Sequence, residues 1–361
     1  MKSSSMKISE ADETGSMYTK LCRGCRLCMK GAKLVLFVTG ACARDCFYCP
    51  LSEARKGRDD VYANERRVLS DEDVIAEAKR MRALGTGITG GEPLLKLERT
   101  LHYIRLLKAK FGDRHHIHLY TGIAPPDSIL KRLRDAGLDE IRFHPPVEDW
   151  DRFRETSFFH ALKRSKGLGM DAGVEIPSIR PVPQMAEAVR EAGGFLNVNE
   201  LEFSDTNSAA LKKKGYRLRD DISNAVLGSE KTGHEIVLNN IAYTRYCSSR
   251  FKDAVQLRER LKRIARHTVR PFDEISADGT IIYGEIEGNI TDALRILKGS
   301  NIPRRMYRSY GGRIETAWWL LEETGGLCAV ARCSIVERYP LDNGLVVERI
   351  PLRSSGSGDS E

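Results

Sequence analysis

The chain carries its most informative motif at residues 40–50, which read Gly40-Ala-Cys-Ala-Arg-Asp-Cys-Phe-Tyr-Cys-Pro50. Within this run, Cys42, Cys46 and Cys49 form a C-x3-C-x2-C cluster directly after the apolar stretch 34–38. Thiolates are soft ligands, and three of them on one loop suit a thiophilic metal centre. On a cubane of four irons, three protein ligands would leave one iron open to another ligand. A structural zinc site is the alternative, but such sites usually pair two cysteine knuckles and no matching second pair follows.

A second motif, Thr89-Gly90-Gly91-Glu92-Pro93, follows the short strand-like segment 86–88. Two glycines allow backbone groups to approach a ligand closely. The carboxylate of Glu92 can complement a cationic ammonium group. Together with Tyr48, which precedes the last cysteine of the loop, the two motifs resemble the signature of the radical S-adenosylmethionine superfamily.

The resemblance implies a cofactor and a first chemical step. In that superfamily three cysteines hold a [4Fe-4S] cluster, and the amino and carboxylate groups of S-adenosylmethionine chelate the fourth iron. Reductive cleavage, with an electron from an external donor of the ferredoxin or flavodoxin type, gives a 5′-deoxyadenosyl radical that abstracts hydrogen from a substrate. The implied S-adenosylmethionine-binding residues are Tyr48, Gly90, Gly91, Glu92, Pro93, Thr121 and His144.

Composition favours a globular enzyme of the cytoplasm. The chain has 361 residues, of which 41% are hydrophobic and 30% charged, and this is ordinary globular usage. Its longest apolar run, residues 34–38, is far too short to span a membrane, and residues 1–20 lack the apolar region of a secretory signal. Nine cysteines without such a signal indicate reduced thiols that bind metal. We therefore expect a cytoplasmic, oxygen-sensitive protein.

Residues 33–215 alternate between strand-like and helix-like stretches, which predicts the fold class α/β. Six βα units in series predict parallel strands with right-handed crossovers, closed or nearly closed into a partial (β/α)6 TIM-like barrel. The resemblance implies the same barrel. The predicted strands are 33–39, 87–89, 117–120, 140–143, 172–176 and 200–203.

The remaining segments define the predicted domain boundaries. Polar composition predicts disorder for residues 1–20 and 354–361, and residues 21–32 form a cysteine-rich lead. Residues 216–268 read as a helical, basic connecting segment. Residues 269–353 predict a smaller α/β domain with a capping or substrate role. Its predicted elements are strands 280–286, 328–336 and 345–350, helices 291–297 and 315–323, and turns at Asp278-Gly279 and 342–344.

Residues that follow the barrel strands are candidates for binding, because the carboxyl ends of parallel strands face the active site. The run Tyr120-Thr121-Gly122 resembles the Thr-Asn-Gly found there in activating enzymes of glycyl-radical proteins, the branch this barrel resembles most. His115, His116 and His118 lie at the start of a strand, where we expect a role in stability and not in metal binding. Candidate substrate or ribose contacts are Glu175, Arg180, Asn199 and Glu202, although each can also be a satisfied polar residue at a strand end.

A second cysteine cluster precedes the barrel. Cys22, Cys25 and Cys28 have the spacing of the first three cysteines of a bacterial ferredoxin motif, but no fourth cysteine follows them. Cys247, just after the predicted barrel, is the candidate fourth ligand. We expect an auxiliary metal site at these four residues, holding a second [4Fe-4S] cluster or, as the alternative, zinc.

The substrate class stays open in the sequence. A net charge of +8 and an isoelectric point near 9.0 suit RNA, and related enzymes modify tRNA. The likeness to activating enzymes and the extra cysteine cluster favour a protein or peptide, and a small metabolite is the third class. A non-catalytic iron-sulfur electron-transfer or scaffold protein is the alternative to an enzyme.

Overall fold

The computed structural model describes residues 9–239, 243–324, 326–341 and 344–352. The chain divides into two compact units, the first comprising residues 1–79 and 83–257 and the second residues 80–82 and 258–361. Within the described ranges, no helix combines the length and the apolar character needed to cross a membrane.

The first unit is built on a ten-stranded sheet with the order β1-β10-β9-β8-β7-β6-β5-β2-β3-β4. Its bounds are β1 Met17–Tyr18, β2 Lys33–Phe37, β3 Tyr62–Ala63, β4 Arg66–Arg67, β5 Gly85–Thr89, β6 His116–Thr121, β7 Glu140–Phe143, β8 Asp171–Pro177, β9 Phe195–Asn199 and β10 Tyr243–Cys247. All neighbours from β2 through β5 to β10 pair in parallel, and β1, β3 and β4 add antiparallel strands at the ends. The predicted partial barrel of parallel strands is confirmed.

Helices connect and flank these strands. They are α1 Arg23–Met29, α2 Asp71–Arg80, α3 Leu97–Phe111, α4 Asp127–Ala136, α5 Ser157–Gly167, α6 Pro183–Glu191, α7 Ser208–Lys213, α8 Ser229–Leu238 and α9 Ser249–Phe251, which a π-helix, Lys252–Leu257, follows. Local chemistry fixes several ends. Pro183 occupies the first turn of α6, where a backbone N–H would have no hydrogen-bond partner within the helix. Gly137 follows the last residue of α4 and has a left-handed φ of 106°, which glycine adopts readily. Apolar strand residues such as Leu34, Leu36 and Ile141 are fully buried and form the core.

Two strands differ from the sequence-based prediction. The sixth strand is Phe195–Asn199 and not 200–203, and a seventh parallel strand, β10, lies in the segment predicted to be helical and connecting. Both strands carry polar residues that face the inside of the barrel, including Asn197 and the buried Arg245. Buried parallel strands are usually recognised by a continuous apolar run in the sequence. These two strands lack such a run, because some of their residues face a polar barrel interior. The first unit consequently extends to residue 257, beyond the predicted boundary at 215.

The N-terminal segment also differs from the expected disorder where it is described. Strand β1 pairs antiparallel with β10, with Met17 opposite Tyr246 and Tyr18 opposite Arg245. The Ser16 hydroxyl, which is buried, lies 3.0 Å from the hydroxyl of Ser248. Backbone pairing orders this polar segment without a large apolar contribution. Residues 1–8, the predicted tail 354–361 and positions 342–343 of the predicted turn lie outside the described residues.

The second unit contains an antiparallel sheet with the order β13-β14-β12-β15-β16, and β11 pairs with β12. Its elements are α10 Arg258–Thr268, β11 Glu274–Ile275, β12 Ile281–Glu287, α11 Ile290–Gly299, β13 Tyr307–Tyr310, β14 Arg313–Thr316, α12 Trp318–Glu323, α13 Leu327–Val330, β15 Arg332–Arg338 and β16 Val346–Leu352. From β12 to β15 the order is β-α-β-β-α-α-β, in which α12 and α13 together take the place of the second helix of the split βαβ arrangement. The predicted small α/β domain is confirmed, although β13, β14 and α13 were not predicted.

A close contact between β8 and β9 gives a test of this packing. A methyl group on Gly173 would lie 2.3 Å from the carbonyl oxygen of Phe195, so we expect Gly173→Ala to lower the free energy of unfolding by about 1–3 kcal/mol. Urea unfolding of the metal-free protein, followed by circular dichroism, measures this change. Gly167→Ala is the matched control, because a methyl group there meets no atom within 4 Å. Equal stabilities of the two variants would contradict the packing described.

Candidate metal and cofactor site

The two sequence motifs contact each other through their backbones. The N–H of Gly91 donates to the carbonyl of Thr39 (2.7 Å), and the N–H of Glu92 donates to the carbonyl of Ala41 (2.8 Å). A methyl group on Gly90 would lie 2.5 Å from the Thr39 oxygen, and one on Gly91 would lie 2.5 Å from the Ala41 oxygen. These glycines therefore allow the turn after β5 to pack directly on the start of the cysteine loop.

Side chains from the neighbouring strand ends hold the cysteine loop. Arg44 Nη1 donates to the carbonyl of Gly122 (2.9 Å) and to the carbonyl of His144 (2.7 Å). His144 Nδ1 donates to the carbonyl of Glu175 (2.7 Å), so its Nε2 accepts from the Tyr48 hydroxyl (3.0 Å). Burial lowers the pKa of His144 to about 4. A neutral imidazole thus fixes the aromatic residue of the loop.

The segment after β9 supports the loop from the other side. Asn207 Nδ2 donates to the carbonyl of Tyr48 (3.2 Å), and the hydroxyl of Thr206 donates to the carbonyl of Cys49 (3.2 Å). Within the loop, the N–H of Cys49 donates to the carbonyl of Cys46 (2.9 Å). Hydrogen bonds from several strand ends therefore fix the path of the loop.

Glu92 connects the ends of two strands. Its carboxylate accepts hydrogen bonds from the N–H of Leu94 (2.9 Å), the hydroxyl of Thr121 (2.8 Å) and the N–H of Gly122 (2.7 Å). The residue is 2% exposed, and this burial raises its pKa. Its structural role is to join the turn after β5 to the end of β6. A contact with the cofactor ammonium stays a prediction.

One cavity of about 360 Å³ brings the predicted residues together at the carboxyl ends of the strands. Of the predicted cofactor and substrate residues, only Arg180 is absent from its lining. Arg180 instead forms an ion pair with Asp151 (2.7 Å). The predicted residues that line the cavity are Cys42, Cys46, Tyr48, Cys49, Gly90, Gly91, Glu92, Pro93, Thr121, His144, Glu175, Asn199 and Glu202.

Arg44 and Lys252 also line this cavity, and the sequence did not indicate either one. Lys252 pairs with Glu202. Burial alone would lower the pKa of Lys252, but the charge of Glu202 raises it. A single lysine outside a motif gives no sequence signal, and this one lies in the π-helix of the segment predicted to connect the domains. Arg44 lies between two cysteines of the motif, so its position could have suggested a supporting role.

The donor set fits an iron-sulfur cluster. The thiols of Cys42, Cys46 and Cys49 are free and open onto the cavity that Gly90 and Gly91 also line. Within the described ranges, no three His, Cys, Asp or Glu side chains are arranged to hold one metal ion. In a [4Fe-4S] cluster each iron takes one thiolate, so three thiols that line one cavity can serve three of its irons.

Comparison with known proteins identifies the family. A relative from Methanocaldococcus jannaschii, named "Putative glycyl-radical enzyme activating enzyme", is 38% identical over 358 residues, covering 93% of this chain and 94% of the relative. A model of the Radical SAM superfamily matches residues 36–167. The chain belongs to the radical S-adenosylmethionine superfamily. The resemblance that the sequence motifs indicated is thus confirmed. Membership of this family implies a [4Fe-4S] cluster and S-adenosylmethionine as cofactors. A domain of unknown function, DUF8061, matches residues 279–352 of this radical S-adenosylmethionine protein.

Three solved structures match part of this chain at low sequence identity. Methylornithine synthase is 14% identical with a TM-score of 0.40, covering 60% of this chain and 71% of that chain. The FeFe-hydrogenase maturase HydG from Carboxydothermus hydrogenoformans is 17% identical, with a TM-score of 0.38. The match covers 59% of this chain and 52% of HydG. The radical S-adenosylmethionine methyltransferase TsrM from Kitasatospora setae is 12% identical, with a TM-score of 0.36. The match covers 75% of this chain and 57% of TsrM.

The second cysteine cluster lies at the opposite end of the strands. Cys22 precedes α1, which packs against β2, β5 and β6. The N–H of Gly24 donates to Glu140 Oε2 (3.0 Å), at the first residue of β7. Asn197 Nδ2 donates to Cys25 Sγ (3.5 Å). Helix α1 therefore lies at the amino ends of the strands, with two of its cysteines, Cys25 and Cys28, facing the barrel interior.

The three histidines of β6 and its approach are packed among other polar groups. His115 Nε2 lies 2.9 Å from the Thr86 hydroxyl, and His118 Nε2 lies 2.7 Å from Lys33 Nζ. Burial lowers the pKa of His115 and of His116 to about 4. These neutral rings lie at the amino end of the strand, away from the cofactor cavity.

Replacing Glu92 tests whether its carboxylate joins the turn after β5 to the end of β6. In Glu92→Ala three donors lose their acceptor, at a cost of about 1–3 kcal/mol for each buried group, so the turn that lines the cofactor cavity is no longer fixed. We expect the Kd for S-adenosylmethionine to rise at least about tenfold, while the iron content stays unchanged.

Titration calorimetry on anaerobically reconstituted protein measures the affinity, and an iron assay measures the cluster. Glu98→Ala is the control, since Glu98 is exposed and forms one surface ion pair with Arg132. An unchanged Kd in Glu92→Ala would show that the hydrogen bonds of the Glu92 carboxylate do not support cofactor binding.

Proposed function

We propose that this protein is an enzyme that produces a 5′-deoxyadenosyl radical and uses it to abstract hydrogen from a macromolecular substrate, with a protein or peptide favoured. The observation that carries the proposal is the single cavity shared by Cys42, Cys46, Cys49 and the turn Gly90–Pro93. When bound there, the cluster and S-adenosylmethionine supply the radical chemistry of the family.

The chain's own residues would hold and orient these groups. The three thiols of the loop would bind the cluster, and Arg44 would keep the loop against the ends of β6 and β7. The Tyr48–His144 hydrogen bond fixes the loop without adding a charge, because the imidazole is neutral. Glu202 and Lys252 form a polar pair at the cavity wall, where they can orient a substrate or the cofactor.

A protein substrate is supported by the name of the relative, which describes an activator of glycyl-radical enzymes. That relative matches 93% of this chain, so the likeness includes the second unit, which we propose as a module for substrate recognition. We also propose an external one-electron donor of the ferredoxin or flavodoxin type and a cytoplasmic location. RNA is the alternative substrate, since the net charge of +8 favours polyanions.

The proposed enzyme has a second metal centre among Cys22, Cys25, Cys28 and Cys247. Support comes from the position of α1, which brings its cysteines to the same barrel interior as Cys247. We favour an iron-sulfur cluster, with zinc as the alternative, because the spacing of Cys22, Cys25 and Cys28 matches the first three cysteines of a bacterial ferredoxin motif.

Formation of 5′-deoxyadenosine tests the radical step. We expect reconstituted, reduced protein to release it from S-adenosylmethionine, and we expect Cys46→Ala to lower the yield at least about a hundredfold because the cluster loses a ligand. Liquid chromatography quantifies the product. Cys328→Ala, in α13 of the second unit, should keep the full yield. No product from protein with an intact cluster would instead support an electron-transfer or scaffold protein.

The substrate class can be tested with extract from the native host. We expect the extract to stimulate 5′-deoxyadenosine formation, and we expect protease treatment of the extract to remove this stimulation while ribonuclease leaves it. The measurement is the initial rate with treated and untreated extract, after the added protease has been inhibited. Loss of stimulation after ribonuclease alone would favour tRNA over protein.

A further inference from the structure

A second cavity, of about 320 Å³, lies inside the barrel between α1 and the cofactor cavity. Two of its lining thiols, Cys25 and Cys28, come from one face of α1, and the third, Cys247, comes from the end of β10. The two cavities share part of their walls. The shared residues are Thr89, Tyr120, Glu175, Asn199 and Lys252.

Most charged groups around this second cavity are already paired. Arg142 contacts Glu140 Oε1 (2.5 Å) and Glu175 Oε2 (2.7 Å), so both carboxylates are occupied. Lys252 pairs with Glu202. These pairs balance much of the buried charge, as a low-dielectric interior requires.

Two buried cations in the lining have no such partner. Lys33 is 6% exposed and its Nζ lies 2.7 Å from His118 Nε2, which is a neutral contact. Arg245 is 4% exposed, and its Nε has no hydrogen-bond partner among the described residues. Neither side chain forms an ion pair with a carboxylate in the part of the chain that the structure describes. Since a buried charge is costly unless it is paired, the cavity favours an anionic occupant.

Cys22 differs from the other three cysteines. Its thiol donates to Glu140 Oε1 (3.6 Å) and accepts from Arg142 Nη2 (3.2 Å). It does not line the cavity. Cys22 also contacts the thiol of Cys25, to which Arg142 Nη2 likewise donates (3.7 Å). Cys22 is therefore adjacent to Cys25 but does not open into the space that Cys25, Cys28 and Cys247 line.

We infer that this cavity binds an iron-sulfur cluster through Cys25, Cys28 and Cys247, with Cys22 outside the ligand set. A cubane bound by three thiolates carries a net negative charge, which Lys33 and Arg245 would balance. The inference rests on the proposed second centre and changes its ligands from four cysteines to three. One iron of the cluster then has no cysteine ligand.

Iron content in a background without the radical site tests the ligand set. In the triple variant Cys42→Ala, Cys46→Ala, Cys49→Ala, all bound iron belongs to the second site. After anaerobic reconstitution we expect about four irons per chain, no zinc, and an electron paramagnetic resonance signal on reduction. Adding Cys25→Ser, Cys28→Ser or Cys247→Ser should reduce the iron at least fourfold. Adding Cys22→Ser, or Cys328→Ser as the matched control, should leave it unchanged.

Circular dichroism melting of the metal-free variants identifies any that fail to fold. Mössbauer spectroscopy of the triple variant alone gives a test that needs no further substitution. Added cyanide should bind the iron that has no cysteine ligand and change the spectrum of one iron in four. Absence of iron in the folded triple variant, stoichiometric zinc, or loss of the cluster in Cys22→Ser would each overturn the inference. This result is independent of the proposed function, since 5′-deoxyadenosine formation by the unaltered protein is measured separately.

Discussion

The rest of the site depends on the contact between two backbone turns, residues 39–41 and 90–92. Two N–H groups of one turn donate to carbonyls of the other, at 2.7 and 2.8 Å, and this spacing leaves no room for a side chain at Gly90 or Gly91. The cysteine loop and the glycine turn therefore have one fixed relative position. The side chains of Arg44 and Glu92 extend this arrangement to the ends of β6 and β7, so the walls of the cavity are joined by direct hydrogen bonds.

Sequence patterns were sufficient for those parts of the barrel in which apolar residues fill the strands. β2 is apolar after its first residue, and the predicted strand 33–39 agrees closely with the observed strand Lys33–Phe37. The motif at 40–50 was equally informative, because thiols at that spacing have few structural uses. The same applies to the turn at 90–93, which gained its meaning from the cysteine loop before it.

The interior of the barrel was the part that sequence patterns could not predict. Asn197, Arg245 and Lys252 are polar residues in a buried space, and each resembles a surface residue until its neighbours are known. Their burial is possible because hydrogen bonds or ion pairs from other strands satisfy most of their polar atoms. Such partners are distant in the chain, as with Asn197 and Glu175 (3.0 Å), and periodicity within one segment carries no information about them. The shifted sixth strand and the unexpected seventh have this common cause.

Strand β2 has a consequence for the distance between the two sets of cysteines. Cys28 lies shortly before this strand and Cys42 shortly after it, at opposite ends of the barrel. Its five residues, Lys33–Phe37, span roughly 16 Å at about 3.3 Å per residue, and parallel pairing with β5 holds that length constant. The strand thus acts as a rigid spacer between a lower and an upper compartment. The two cavities that these cysteines line share wall residues such as Tyr120 and Glu175, so they adjoin each other inside the barrel.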